Sequence, residues 1–102
     1  MRTFIKSRVH EQIDEFYDYA LYKHITLSER VVYAKKKRLY AALGSLGDFP
    51  SLYPLARLKQ SWRKKGYREC IFEDFHFAYE IVEVDDEQII AVSDATHSFM
   101  YK

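Results

Sequence analysis

Cysteine occurs once in this chain, at Cys70, so no internal disulfide can form and no cysteine-based zinc site can be assembled. A lone thiol among apolar, alternating neighbours reads as a buried strand residue. A long apolar run is also missing. The opening Met1, Arg2, Thr3, Phe4, Ile5 and Lys6 lacks the uninterrupted stretch of a signal peptide or membrane span, so a cytoplasmic protein away from membranes is the expectation. No internal repeat and no low-complexity segment is found. Nor does the chain have the balance of a disordered one, because 48 % of its residues are apolar and 30 % charged. Its 102 residues hold one hydrophobic core and not two, so positions 1–102 are read as a single domain.

What the chain does have is aromatic mass and sorted charge. Nine Tyr, seven Phe and Trp62 make up 17 % of it, and large rings are what a small domain needs to bury enough area. The formal net charge of +1 conceals two basic segments, one with Lys35, Lys36 and Lys37 between Arg30 and Arg38, the other with Lys59, Arg63, Lys64 and Lys65 between Arg57 and Arg68. Acidic residues gather in the first helical pattern (Glu11, Asp14, Glu15, Asp18) and after Arg68. Such sorting suits a basic surface that meets a polyanion or an acidic peptide.

Residues 1–6 alternate well enough for a short strand. Ser7 then offers a side-chain oxygen to cap a helix with Val9, Ile13, Phe16, Tyr17, Ala20 and Leu21 on one stripe, running to about His24. Thr26 and Glu29 have capping-box spacing, which would start a second helix carrying Val32, Leu39, Leu43 and Leu46. Gly47 suits a left-handed helix end, and Pro50 prevents resumption. So short a link between the helices implies an antiparallel hairpin. From Tyr67 the period becomes alternating, and strands are expected at 67–73, 75–84 and 88–95, joined by polar links short enough for antiparallel hairpins. The stretch 51–65, with Pro54 and a run of bases, is the least regular and reads as a loop with a brief strand. The expected architecture is α+β: a short N-terminal strand and an antiparallel helical hairpin packed on one face of an antiparallel meander sheet. Its core should include Ile13, Phe16, Leu39, Leu43 and Val92, and the sheet face bearing His76, Ala78 and Glu80 should be partly open.

This order of elements, with the text GYRECIFEDFHFAYEIVEVDDEQIIAVSDATHSFMY, resembles the RelE/ParE superfamily of toxins from type II toxin-antitoxin (plasmid stabilisation) modules. The likeness spans nearly the whole chain. It is carried by Tyr67-Arg68-Glu69 opening a strand, by the tract 75–81 with Tyr79 near its middle, and by a late strand ending shortly before His97. A RelE-like member would be a ribosome-dependent endoribonuclease cleaving mRNA, whereas a ParE-like member would inhibit DNA gyrase by binding, without nuclease chemistry. Either implies a cognate antitoxin whose C-terminal segment, disordered when free, wraps the toxin's surface.

RNA cleavage by the adjacent 2′-hydroxyl needs a base for that hydroxyl, cationic donors for the phosphate and an acid for the leaving oxygen. Arg68 matches a strand arginine often present in the family, Lys64 and Lys65 precede it, and the resemblance carries functional His or Tyr positions onto His97 and Tyr101. Histidine suits the task because it titrates near neutrality. Nuclease members, however, tend to have an arginine where His76 stands and are usually more basic, since a ribosome is a large polyanion. The reading therefore leans to ParE-like binding, with Arg68, His97 and Tyr101 catalytic only in a metal-independent nuclease. A degenerate relative that keeps the fold and has lost toxicity is the third reading. His76 is expected to pack across strands. Trp62 beside Arg63, Lys64 and Lys65 fits either a stacking patch for single-stranded nucleic acid or a ring closing the core beneath a solvated loop. Arg57, Lys59, Trp62, Arg63, Lys64 and Lys65 form the expected nucleic-acid or partner-binding segment, with an acidic and partly apolar antitoxin segment as its ligand. Glu69, Glu73 and Asp74 are near one another, yet adjacent strand carboxylates point to opposite faces, so neither metal nor other cofactor is expected.

Overall fold

The computed structural model describes residues 1–24 and 26–101, the side chain of Met100 excepted. β1 (Thr3–Ile5) leads through Lys6 into α1 (Ser7–Lys23), and α2 (Glu29–Gly44) follows. Val9, Ile13 and Tyr17 are the buried stripe of α1, and Val32, Leu39 and Leu43 that of α2, so each helix turns inward the face its spacing defines. His10 meets Tyr40 and Asp14 meets Lys36, pairs that advance in opposite directions along the two helices, which are therefore antiparallel.

The helix ends depart from expectation. Ser7 already lies inside α1, whose start carries no side-chain cap. Thr26 does not begin α2. Ser28 does, because it stands directly before the first helical residue and accepts from the Val31 N–H at 3.2 Å. α2 stops at Gly44 and tightens into a 3-10 turn, Ser45–Asp48. Gly47 is not left-handed; a Cβ there would lie 1.8 Å from the Met1 carbonyl oxygen, so glycine is required by the close approach of the N-terminal segment.

β2 (Arg68–Phe72), β3 (Phe75–Val84) and β4 (Glu87–His97) form the expected antiparallel meander. Both turns, Glu73-Asp74 and Asp85-Asp86, have positive φ at each central residue (49° and 65°, 51° and 62°), the type I′ geometry that matches strand twist. The sheet as a whole is mixed rather than antiparallel: its order is β1-β4-β3-β2, and β1 lies parallel to β4 with Phe4 opposite Ala91. Short links dictate the direction of neighbouring strands, whereas nearly the whole chain separates β1 from β4 and no local pattern records how they meet.

The helices cover one sheet face, where Val9, Ile13, Leu39 and Leu43 pack against Cys70, Phe75, Phe77, Tyr79, Ile90 and Val92. Of the five residues expected in the core, Ile13, Leu39, Leu43 and Val92 are fully buried and Phe16 is partly buried at its margin. Burial pushes the Cys70 thiol up to about 12. In β4, Ala78 of the neighbouring strand pairs with Asp94 but Tyr79 pairs with Val92, which makes Ser93 the extra residue of a bulge. The bulge reverses the alternation of β4. Ile90, Val92, Ala95 and His97 consequently share the helix-covered face, and Asp94 is turned to the other side.

At this end that other side is not open. The irregular stretch contributes a bridge from Leu55 to Arg68 and then α3 (Gln60–Lys64), too short for helical periodicity to announce it. α3 sets Trp62 over the sheet in a second small core with Ala56, Tyr67 and Ala78, against which Tyr101 packs. No helix among the described residues is long and apolar enough to cross a membrane.

Candidate functional site

The residues expected to cooperate in cleavage lie on different sides of the sheet. Arg68 alternates with Cys70 toward the helix-covered face and donates from Nη1 to the Tyr53 carbonyl oxygen at 2.7 Å. His97 stacks on Phe16 with ring centroids 3.9 Å apart and stands perpendicular to Phe75 at 5.1 Å. Its Nδ1 accepts from the Phe99 N–H at 3.2 Å, so the neutral ring carries its proton on Nε2. Burial lowers the His97 pKa, against the opposing pull of Asp74. Tyr101 belongs to the other face. It stacks on His76 at 3.9 Å and 14°, and its hydroxyl donates to Glu69 Oε1 at 3.0 Å. Burial, and then that carboxylate, push the phenol up to about 12.

Glu69 and His76 are therefore the partners of Tyr101 that the sequence did not single out together. They are diagonal neighbours on paired strands, Glu69 standing opposite Ala78 and His76 opposite Ile71, and His76 Nδ1 lies 2.7 Å from Glu69 Oε2. The cross-strand packing expected of His76 is what it does. Of the other two carboxylates considered for a metal, Glu73 and Asp74, Glu73 pairs with Arg38 Nε at 2.7 Å.

α3 carries the basic segment. Trp62 is 1 % exposed and its Nε1 donates to Asp94 Oδ2 at 2.8 Å, so its ring belongs to the core and cannot serve as a surface stacking platform. Asp94 also accepts from Gln12 and the Ala95 N–H, with Arg8 at 3.4 Å. Burial alone would raise its carboxyl, but these donors outweigh burial and hold it below its ordinary value. Arg57, Arg63, Lys64 and Lys65 are exposed, and none of them forms an ion pair among the described residues. Lys59 lies over the Trp62 ring and Lys65 over that of Tyr67.

β2 forms one edge of the sheet. The passing segment reaches it only at its start, through Ala56 N–H to the Tyr67 carbonyl at 2.8 Å and Glu69 N–H to the Pro54 carbonyl at 3.0 Å. A groove of about 570 Å³ opens there, with Tyr53, Leu55, Leu58 and Ile71 among its walls and Arg57 and Glu69 as its charged lining residues. Of these, Leu55, Leu58 and Ile71 are 56 %, 82 % and 55 % exposed, an apolar rim no spacing rule singles out because it combines a loop with a strand edge. No family model matches the chain, and no curated protein matches it significantly.

Proposed function

We propose that the protein acts by binding, as the toxin of a type II toxin-antitoxin module that inhibits DNA gyrase in the ParE manner and is neutralised by a cognate antitoxin. The observation that carries this reading is the apolar groove at the edge of β2, which Arg57 lines, together with the exposed bases Arg63, Lys64 and Lys65 on and after α3, none of them in an ion pair among the described residues. An acidic, partly apolar segment laid along that edge would gain backbone hydrogen bonds from β2, burial against Leu55, Leu58 and Ile71, and steering from Arg57, Lys64 and Lys65. The separation of Arg68 and His97 from Tyr101 leaves the nuclease set unassembled. One arrangement favours the alternative of a RelE-like endoribonuclease acting on mRNA at the ribosome: an imidazole held by a carboxylate beside a phenol, His76 with Glu69 and Tyr101.

Induced expression in a bacterial host separates these readings. Growth arrest with accumulation of relaxed DNA, and with intact messages by primer extension, is the expected result. Site-specific cleavage of translated messages would replace the binding reading with the nuclease, and undisturbed growth would leave a relative without toxicity. A neighbouring reading frame that rescues growth supplies the ligand for a second measurement. Reversing Lys64 and Lys65 together should slow association with it and flatten the salt dependence, while the dissociation rate stays nearly the same.

A further inference from the structure

A second cavity, of about 540 Å³, lies between α1 and the end of β4 and takes no part in the reading above. Phe16, Tyr19, Phe75, His97 and Phe99 are its aromatic lining, with Tyr19 and Phe99 the exposed rings, Phe16 and His97 stacked on one another and Phe75 only 1 % exposed, and Glu15 is its one charged group. No Lys or Arg is among its lining residues. Rings present negative faces that attract cations, and a carboxylate beside them adds charge and acceptor oxygens. Burial keeps His97 below its ordinary pKa, so at neutral pH it offers a further aromatic face rather than a repelling charge.

The acids of α1 are disposed for the same ligand. Asp14 is taken by Lys36 at 2.9 Å, but Glu11, Glu15 and Asp18 form no ion pair among the described residues. Spaced four and three apart, these three share a stripe about 10 Å long. That is longer than a small ligand needs and suits a segment of chain. Tyr19 already attracts an ammonium on this surface, that of Lys23, 5.7 Å from its ring centroid.

We infer that this cavity binds an arginine side chain of a basic segment on a partner protein. Its guanidinium stacks flat on the rings and offers its fork to Glu15, a geometry that an ammonium cannot match. The neighbouring residues of the segment run along Glu11 and Asp18.

The test is a titration of the full chain by NMR with Nα-acetyl-arginine amide, its neutral citrulline counterpart, and tetramethylammonium. The arginine probe should shift the ring resonances of Phe16, Tyr19 and Phe99 saturably, and the citrulline probe should bind about fivefold more weakly or worse. Glu15→Gln and Phe99→Ala should each weaken the arginine probe to a similar degree. Glu15 is exposed and Phe99 is 84 % exposed, so both variants should keep the wild-type spectrum elsewhere. Equal binding of citrulline, shifts outside the cavity, or tighter binding of tetramethylammonium than of arginine would overturn the assignment.

Discussion

Asp94→Asn measures what the bulge at Ser93 achieves. Asp94 Oδ1 accepts from Gln12 Nε2 at 2.9 Å and from the Ala95 N–H at 3.0 Å, while Oδ2 accepts from Trp62 Nε1 at 2.8 Å. Asparagine has a single carbonyl oxygen. Kept on the Oδ1 side, it sets its own amide against the indole N–H; turned over, it abandons Gln12. Trp62 is only 1 % exposed, so water cannot replace the lost acceptor. A buried donor left unpaired costs about 1 to 3 kcal/mol. The pairing with Arg8, whose side chain is 69 % exposed, adds little beyond that. The expected loss of stability is therefore about 1 to 3 kcal/mol, read by urea denaturation followed by circular dichroism. In a Trp62→Phe background the donor is already gone, and the same substitution should cost clearly less, a coupling that a double-mutant cycle isolates. The pH dependence has a defined sign. The folded carboxyl lies below its ordinary 3.8, so its contribution is complete above that value and fades as pH falls through the folded pKa. The variant should accordingly show a shallower acid limb. A cost below about 0.5 kcal/mol, the usual range for surface positions, or an equal cost in both backgrounds would refute the assignment of Asp94 as the acceptor that pins α3.

Leu39→Ala, at a position 0 % exposed, should cost about 2 to 5 kcal/mol in the same denaturation experiment. Replacing Asp85-Asp86 by Asn-Gly should stabilise by about 0.5 to 1 kcal/mol, because both positions have positive φ, and a loss would show that the aspartates make contacts worth more than the backbone strain. Gly47→Ala should drive the Met1 segment off the 3-10 turn, and hydrogen exchange should quicken at the Ile90 N–H, which donates to the Arg2 carbonyl. With the thiol pushed up to about 12 from its ordinary 9.0, Cys70 should resist iodoacetamide at pH 8 until urea unfolds the chain. The unfolded thiol ionises first as pH rises, so this group's contribution is complete below 9.0 and is lost between there and about 12.

The helices and the meander were legible because their causes are local. Val9, Ile13 and Tyr17, or Phe75, Phe77 and Tyr79, carry a stripe within a few residues, and a two-residue link permits only one direction for the next strand. The errors at the helix ends came from the same locality, since Ser7, Thr26 and Ser28 are all fit to cap and only the assembled chain selects Ser28. β1 shows the limit most plainly. Its alternation marks a strand, but its partner, its parallel direction and the need for glycine at position 47 all arise from a meeting of distant segments.

The candidate sites are less legible for one physical reason: the sequence places their members far apart and the sheet joins them. Tyr101 reaches Glu69, and Trp62 reaches Asp94, each across 32 residues. Neither pair follows a period of two or of three to four. Ser93 matters most, because strict alternation through Ile90 and Val92 would carry Asp94 to the helix-covered face, away from the indole. Without that acceptor α3 would have to bury an unpaired indole N–H, and the helix bearing Arg63 and Lys64 would lose its fixed place over the sheet. Because Ser93 is the extra residue, deleting it would leave Val92 opposite Tyr79 and Asp94 opposite Ala78 in a regular ladder, so the deletion should keep the Trp62 indole N–H on Asp94 and leave α3 in place; loss of exchange protection at that indole N–H would refute this register.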